Sequence, residues 1–539
     1  MTQAASALAP RPAPRAAGRP AAPPTVAVPH FSLNRLAAFI FMVFGMFMAI
    51  LDIQVVSASL SQIQAGLSAS SDEITWVQTS YLIAEVVMIP LSGFLSRAMS
   101  TRLVFTISAG GFTAMSFMCA QATTINEMIV WRAAQGFIGG GMIPTVFASA
   151  YSIFPRAKLP LVAPIIGLVA TLAPTIGPTV GGYLTDWFNW RWLFLINLGP
   201  GILVTAAAWL LIDFDEPDWS LLTHFDYFGL AAMAGFLGAA EYALEEGPSK
   251  DWFESQPVTI AIIVSAFCGA LFFWRVLTAR QPIVDLSCFR DRNFWTGTLF
   301  GFVLGIGLYG LTYIYPVYLA IVRGYSSLQI GETMFVTGAC MFLTAPLAGR
   351  LMTRVDPRLM IAAGFVLFAI GTWQATFITV DWDFWELLWP QIFRGVGLML
   401  SMVPINNLAL GTMPPMKIKN ASGLFNLMRN LGGAVGLALI NTLLDKRMDL
   451  HIERLREQIV WGRPEAEQRL ADMTAHFASK GSDAAMAATK QLAMVVRRQA
   501  EVLALADVFL ALTAIFLACV GFAAFMRKPS AAPGGGGGH

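Results

Sequence analysis

Charge is what this sequence has least of. Only 13% of its 539 residues are Asp, Glu, Lys or Arg, whereas 56% are hydrophobic, and the mean hydropathy is +0.62. A chain of that make-up cannot cover itself with solvated side chains, which excludes the soluble globular class and points to a polytopic membrane protein. The two signs nearly cancel at a net +2, and no dense basic patch invites nucleic acid. Metal and redox chemistry lack their residues too. Cysteines stand only at 119, 268, 288, 340 and 519, four of them in apolar runs and no two close together. They predict free, buried thiols, not a disulfide or zinc framework. Histidines occur only at 30, 224, 451, 476 and 539, outside the apolar runs and without a cluster. A membrane enzyme such as an acyltransferase would call for a His/Asp or Ser/His constellation at one face, and these positions supply none. No enzyme, no metal and no cofactor are expected. GxxxxGK[ST] is missing, and "GIGLYG" (305–310) lies in an apolar run with no strand before it, so no nucleotide site is read there. Any transport would then be driven by an ion or substrate gradient. The Pro- and Ala-rich start has no apolar h-region, so 1–34 reads as a disordered cytoplasmic tail instead of a signal peptide. Residues 528–539, ending in "GGGGGH", read as an appended remnant.

Long apolar runs, by contrast, are abundant. Stretches of the roughly 20 residues that cross a bilayer lie near 36–60, 74–96, 103–122, 126–151, 159–184, 192–213, 227–245, 257–277, 294–320, 329–350, 358–379, 385–411, 420–444 and 504–527. The expectation is an all-α polytopic protein with fourteen spans and both termini on one side. Arg97, Arg102, Arg156, Lys158, Arg275, Arg280, Arg290, Arg292, Arg350, Arg354, Arg358, Lys417 and Lys419 crowd the short loops of the side holding the termini. Only Arg191, Lys250 and Arg323 occupy the short loops opposite, so the termini are assigned to the cytoplasm. One inner loop, "DFDEPDWSLLTHFDY" (213–227), has no basic residue and locally weakens the pattern.

An internal repeat divides the chain. "PLSGFLSRAMSTRLVF" (90–105) aligns with "PLAGRLMTRVDPRLMI" (346–361), and "RAAQGFIGGGMIP" (132–144) with "QIFRGVGLMLSMVP" (391–404), the Arg and Gln places exchanged. Span 2 therefore corresponds to span 10 and span 4 to span 12. The organisation is a six-helix half (35–213), an inserted pair (214–280) and a second six-helix half (281–527). Parallel halves of this kind mark transporters, with the site expected between them near the midplane. Within the second half, 445–503 is the only long polar insertion. Its apolar spacing (Leu444, Met448, Ile452, Leu455, Ile459; then Leu492, Val496, Leu503) predicts a helical hairpin on the outer side, interrupted near 462–464 and 479–483.

"TLAPTIGPTVGGYL" (171–184) packs helix breakers into a spanning run. Gly177 and Gly181, four apart, share a face that lets another helix approach, and Pro174 and Pro178 remove amide donors. Standing alone this is also a generic packing face. It does not stand alone: Gly177-Pro178-x-x-Gly181-Gly182 resembles the antiporter motif of the major facilitator superfamily, although Pro164 and Ala173 stand where the fuller pattern has glycines. "GFLSRAMSTR" (93–102), with Gly93 and Arg102, resembles that superfamily's loop 2–3 motif, with Arg97 where an Asp is usual. "RAAQGFIGGG" (132–141) resembles its span 4 motif and "LDIQVVSASL" (51–60) the span 1 motif of its 14-span branch. "WRWLFLINLGPG" (190–201) fits as well. Together the chain resembles the EmrB/QacA-type drug/proton antiporters, nearer the EmrB side, on which the long outer hairpin runs into "RQAEVLALADVFLAL" (498–512).

The resemblance implies a major facilitator fold and a secondary exporter of amphipathic drugs or toxic compounds in a bacterial inner membrane. It further implies a periplasmic adaptor and an outer-membrane channel as partners, with the hairpin either meeting the adaptor or simply capping the transporter. It implies that span 5 helps seal the outer side and that Arg132 serves proton coupling.

Ionisable residues inside spans need a reason, because each costs about 2.5–3.5 kcal/mol to insert. Asp52 and Glu85 can carry the proton or meet the substrate's charge; each can also form a packing hydrogen bond or a buried pair. Arg132 is a candidate partner, or a structural counter-ion. Gln135, Arg394 and Arg429 are weaker candidates. Glu241, with Glu245 and Glu246, falls in the inserted pair and is expected at an interface, as is Asp507. The alternatives are a dedicated exporter of one native metabolite, such as a fatty acid or siderophore, and a non-transporting sensor, against which the carboxylates of spans 1 and 2 argue.

Overall fold

The computed structural model describes residues 33–155, 158–459, 462–478 and 483–526; Arg156 and the expected tails over 1–32 and 527–539 lie outside them. All regular elements among the described residues are helical. In hydrocarbon only a helix satisfies its backbone donors and acceptors within one segment, short of a closed barrel. Fourteen helices have the length and composition to cross a membrane. Spans 1–6 are Leu33–Ala58, Asp72–Ala98, Thr101–Gln121, Ile125–Ile153, Pro164–Trp187 and Trp192–Leu211. Spans 7 and 8 are Tyr227–Glu246 and Gln256–Thr278. Spans 9–14 are Arg292–Val322, Leu328–Leu351, Pro357–Ala375, Phe384–Gly411, Pro415–Arg456 and Ala484–Phe525.

The repeat extends to how the helices begin. Ser70 and Ser326 open spans 2 and 10 with the same capping box: Glu73 Oε2 accepts from the Ser70 amide at 2.9 Å, and Gln329 Oε1 from the Ser326 amide at 3.0 Å. Ser100 and Asp356 cap spans 3 and 11, and Thr124 and Asp383 cap spans 4 and 12. Each cap satisfies an amide that the first turn leaves open, so it fixes where the helix starts. Corresponding starts give corresponding registers, and the two halves place their polar residues at matching depths.

The halves meet along a seam. Span 5 packs on span 10, and span 13 packs on spans 2 and 4. The end of the bundle that carries Gly93 and Arg102 is the basic end; the other is the hairpin end. At the hairpin end two helices leave the bundle without a break, Ile418–Arg456 and Ala484–Phe522, 39 residues each. At ~1.5 Å per residue each is about 58 Å long, nearly twice the ~30 Å hydrocarbon core. A third helix, Pro464–Ala478, packs against the span 14 extension. Spans 7 and 8 do not behave as one peripheral pair. Only 11% of the span 8 window is buried, whereas span 7 lies against both span 2 and span 13, beside the seam.

Candidate functional site

In the first half, four spans converge on Asp52. Gly136 brings span 4 so near span 2 that a Cβ there would stand 2.3 Å from the Tyr81 carbonyl oxygen. That approach lets Arg132, wholly buried, donate through Nε to the Val77 carbonyl at 3.2 Å and lie over the Tyr81 ring at 4.2 Å. Its Nη1 donates to Asp52 Oδ2 at 2.7 Å and to Gln135 Oε1 at 2.8 Å. Asn197, from the helix junction of span 6, donates to Asp52 Oδ1 at 2.7 Å and to the Ser116 hydroxyl at 3.1 Å. Gln135 Nε2 reaches Asp52 Oδ1 at 3.5 Å. Both Asp52 oxygens are therefore occupied, and the charge of Arg132 has its counter-ion.

Glu85 is different. It lies one turn beyond Tyr81 on the same span, 1% exposed, and its Oε1 has no hydrogen-bond partner. The cations within its electrostatic reach are Arg132 and, across the seam, Arg429 of span 13. Arg429 lies over the Phe147 ring at 5.1 Å, its Nε and Nη1 without partners. It borders a small cavity of about 10 Å³ that is otherwise lined by Gly301, Leu304, Leu308, Leu398, Met402, Asn406 and Phe425. Asn406 Nδ2 is likewise unpartnered. The cavity is smaller than a drug-sized site, about 300–1,000 Å³. Glu241, expected at an interface, is instead buried to 6% exposure on span 7, within electrostatic reach of Glu85 and Glu245. The reason is the place of span 7 against spans 2 and 13. Asp507 meets His451 at 2.9 Å where spans 13 and 14 leave the bundle.

The two halves pack closely toward both ends of the seam. At the hairpin end, span 5 runs as one helix through Pro164, Pro174 and Pro178. Gly177 and Gly181 face span 1: a Cβ would stand 2.4 Å from Gln54 Cβ and 2.9 Å from the Val55 carbonyl oxygen. Gly182 and Gly181 carbonyls both accept from the Thr185 hydroxyl. The glycines that admit the other half belong to span 10: a Cβ at Gly331 would meet Thr179 Oγ1 at 1.9 Å, and one at Gly338 the Leu172 side chain at 3.2 Å. At the basic end, Gly93 admits span 13, a Cβ there falling 2.8 Å from the Lys419 carbonyl oxygen. Lys419 Nζ donates to the Ser96 carbonyl at 2.7 Å and pairs with Asp215. Asp215 in turn accepts from the Thr101 amide at 3.0 Å and caps span 3. Arg102 donates to the Ile212 carbonyl at 2.5 Å, and Arg97 lies over Phe94 at 5.7 Å. Beside them, in the segment before span 9, burial acts to raise the Asp285 carboxyl. Hydrogen bonds from Ser287 and the charge of Lys417 outweigh it and hold the group below its usual range.

Residues 42–437 match the Major Facilitator Superfamily. The chain belongs to that superfamily. The colistin resistance protein EmrB of Acinetobacter baumannii is 42% identical over 83% of this chain and 88% of its own length. The fatty acid resistance protein FarB of Neisseria gonorrhoeae is 31% identical over 92% and 96%, and the multidrug export protein EmrB of Escherichia coli K12 28% over 91% and 95%. Of solved structures, the human organic anion transporter MFSD10 covers 90% of this chain with all of its own, at a TM-score of 0.55 and 12% identity, a likeness of fold. A major facilitator transporter of EmrB type, with fourteen membrane helices, is thus what the chain is.

Asn197, Gly331, Asp215 and Lys419 escaped the sequence reading. The first two carry no signal in one sequence. The other pair left one: the inner loop without bases holds Asp213, Asp215, Glu216 and Asp218 opposite the most basic loops of the molecule.

Proposed function

We propose that this transporter is a proton-coupled antiporter that exports amphipathic compounds by alternating access between spans 1–6 and 9–14, with Glu85 as the group that proton and substrate share. The observation that carries the reading is the unpartnered, buried Oε1 of Glu85 beside the seam. A carboxylate with an open valence accepts either a proton or a hydrogen-bond donor or cation on a substrate, but not both. Exclusive occupancy moves the two in opposite directions. Asp52 fits that duty less well, since Arg132, Gln135 and Asn197 already occupy it. Arg132 then sets the field at Glu85, and Gln135 holds the pair in register. Inward movement of one proton across 100 mV supplies about 2.3 kcal/mol.

The cavity beneath Arg429 is lined by Leu, Met and Phe side chains, which repack around varied apolar shapes. The relatives named for colistin and for multidrug export favour amphipathic toxic compounds as substrates. The relative named for fatty acid resistance, together with the guanidinium at the cavity wall, supports the second reading, export of one native fatty acid. For the tripartite arrangement, the paired extensions at the hairpin end are the surface that fits a periplasmic adaptor, with both termini cytoplasmic in an inner membrane. Adaptor copurification after removal of the hairpin 445–503 tests that part, and undiminished adaptor binding would overturn it.

The test of coupling uses purified protein in liposomes with an acidic lumen and a trapped pH dye, challenged with lipophilic cations, fatty acids and neutral drugs. Release of lumenal protons by wild type and by Asp52→Glu, but not by Glu85→Gln, is expected. Compound-driven proton release by Glu85→Gln at the wild-type rate would remove Glu85 from the mechanism.

A further inference from the structure

Span 12 repeats span 4 with its polar pair exchanged, and the exchange leaves a cation without an acid. Gln391 stands where Arg132 stands and Arg394 where Gln135 stands. Gly395 gives the same close approach as Gly136, a Cβ there falling 2.8 Å from the Thr337 carbonyl oxygen. From span 9, at the depth Asp52 holds in span 1, comes Thr312. Its hydroxyl accepts from Arg394 Nη2 at 3.3 Å and donates its own hydrogen to the Leu308 carbonyl at 2.6 Å. It brings a lone pair to the guanidinium and no charge.

What remains open at this place is a set of donors. Arg394 Nε and Nη1, Gln391 Nε2 and the Tyr315 hydroxyl have no hydrogen-bond partner. Arg394 and Tyr315 are each 1% exposed and Gln391 is wholly buried. The Gln391 oxygen is already taken by the Thr337 hydroxyl at 2.9 Å, and the Arg394 guanidinium stands 5.4 Å from the Tyr315 ring centre. Among the described residues no carboxylate pairs with Arg394. A buried guanidinium is held in protein interiors by an anion or a full set of acceptors. A water molecule meets that need poorly, because it must aim two hydrogens of its own into a group of donors.

We propose that Arg394, Gln391, Tyr315 and Thr312 form a binding site for a compact monovalent anion, a halide or a carboxylate, which takes in the second half the place that the Asp52 carboxylate fills in the first. The anion accepts from the guanidinium, the amide and the phenol together. Being enclosed on all sides, it enters and leaves only when the second half opens. The site does not depend on proton exchange and stands if transport is driven otherwise.

The test is thermal unfolding of the purified full-length protein in detergent, with chloride replacing gluconate at constant pH and ionic strength. A saturable rise of roughly 2–4 °C is expected in wild type, with bromide as effective as chloride. Thr312→Asp, which supplies the missing carboxylate, is expected to abolish the dependence, as is Arg394→Gln. If octanoate in gluconate stabilises wild type but neither variant while chloride is inert, the anion is a substrate head group, and the site stands with that source. Equal midpoints in chloride, octanoate and gluconate, or the same rise in wild type and both variants, would overturn the proposal. Should Thr312→Asp fail to fold, the Arg394→Gln comparison decides: loss of the chloride or octanoate effect in that variant supports the site, and an undiminished effect refutes it.

Discussion

The two halves share a backbone plan and differ in where their charge is balanced. In the first, Arg132 meets Asp52 Oδ2 at 2.7 Å and Asp52 has two further donors on Oδ1. In the second, Arg394 has one long contact to a threonine and two nitrogens without partners. Gene-level symmetry has thus produced structural symmetry without chemical symmetry. The first half is internally neutral at its cage, while Glu85 keeps an oxygen without a partner beside the seam and the second half brings Arg429 toward it. For the antiport proposed above, that asymmetry leaves Glu85 free to change state while the Asp52–Arg132 pair stays fixed.

The comparison is broken most severely through Arg132. Arg132→Gln leaves Asp52 buried without its counter-ion, at a cost of about 3–5 kcal/mol. Loss of folded protein on size exclusion and a collapsed thermal midpoint are expected, with partial recovery in Arg132→Gln/Asp52→Asn. Arg394→Gln strands no carboxylate, so its midpoint is expected to stay far closer to wild type in gluconate. Similar losses for both arginines would mean that the cages are equivalent after all. Next comes Glu85→Gln, which keeps volume and removes only the charge. Its midpoint is expected within about 1 kcal/mol of wild type in stability, while compound-driven proton release falls at least about tenfold, the usual scale for removing a proton-transfer group. At the hairpin end, Gly331→Val drives a side chain into Thr179, whereas Gly338→Ala meets the movable end of Leu172 and, at ordinary contact distance, the Thr175 methyl. The valine variant is expected to prop span 10 off span 5 and raise labelling of a cysteine at Thr179, and the alanine variant to leave it unchanged.

How much of this was legible depends on what kind of signal each feature leaves. Fourteen apolar runs, the aligned prolines and the Arg/Gln exchange are one-dimensional patterns, and the spans and the correspondence of span 2 with 10 and span 4 with 12 follow from them. Asp52 was marked by cost, since a membrane keeps few buried charges without reason, and Arg132 by cost together with the span 4 motif it opens. Which groups meet is three-dimensional. Nothing in "WRWLFLINLGPG" says that Asn197 will reach a carboxylate 145 positions earlier. The breakers of span 5 form a close-packing face, but Gly177 and Gly181 turn that face to span 1, and the approach of span 10 to span 5 rests on glycines of span 10. Glu241 misled because its span belongs to an insertion, and insertion in sequence carries no information about depth in the bundle.

The smallest effect separates two aspartates of one loop. The loop 2–3 motif here has Arg97 in place of an acid, yet the basic end is still held by a carboxylate, because Asp215 folds back from the segment after span 6. It caps span 3 and pairs with Lys419 of the second half, and both side chains are about four-fifths buried. Asp213, two residues away, faces Arg102 at 3.9 Å with 92% of its side chain exposed. Solvent and salt screen the second pair and not the first. Asp215→Asn removes a contact that ties Lys419 of the second half to the basic end of the first, so it is expected to favour a state more open at that end by about 1 kcal/mol, on the scale of a partly buried pair. That corresponds to a roughly fivefold faster reaction of a thiol probe with Ser96→Cys in a chain cleared of its native cysteines. Asp213→Asn is expected to change that rate by less than the error of the measurement. Equal acceleration by both would show that the loop's total charge, and not the Asp215–Lys419 contact, holds the end closed.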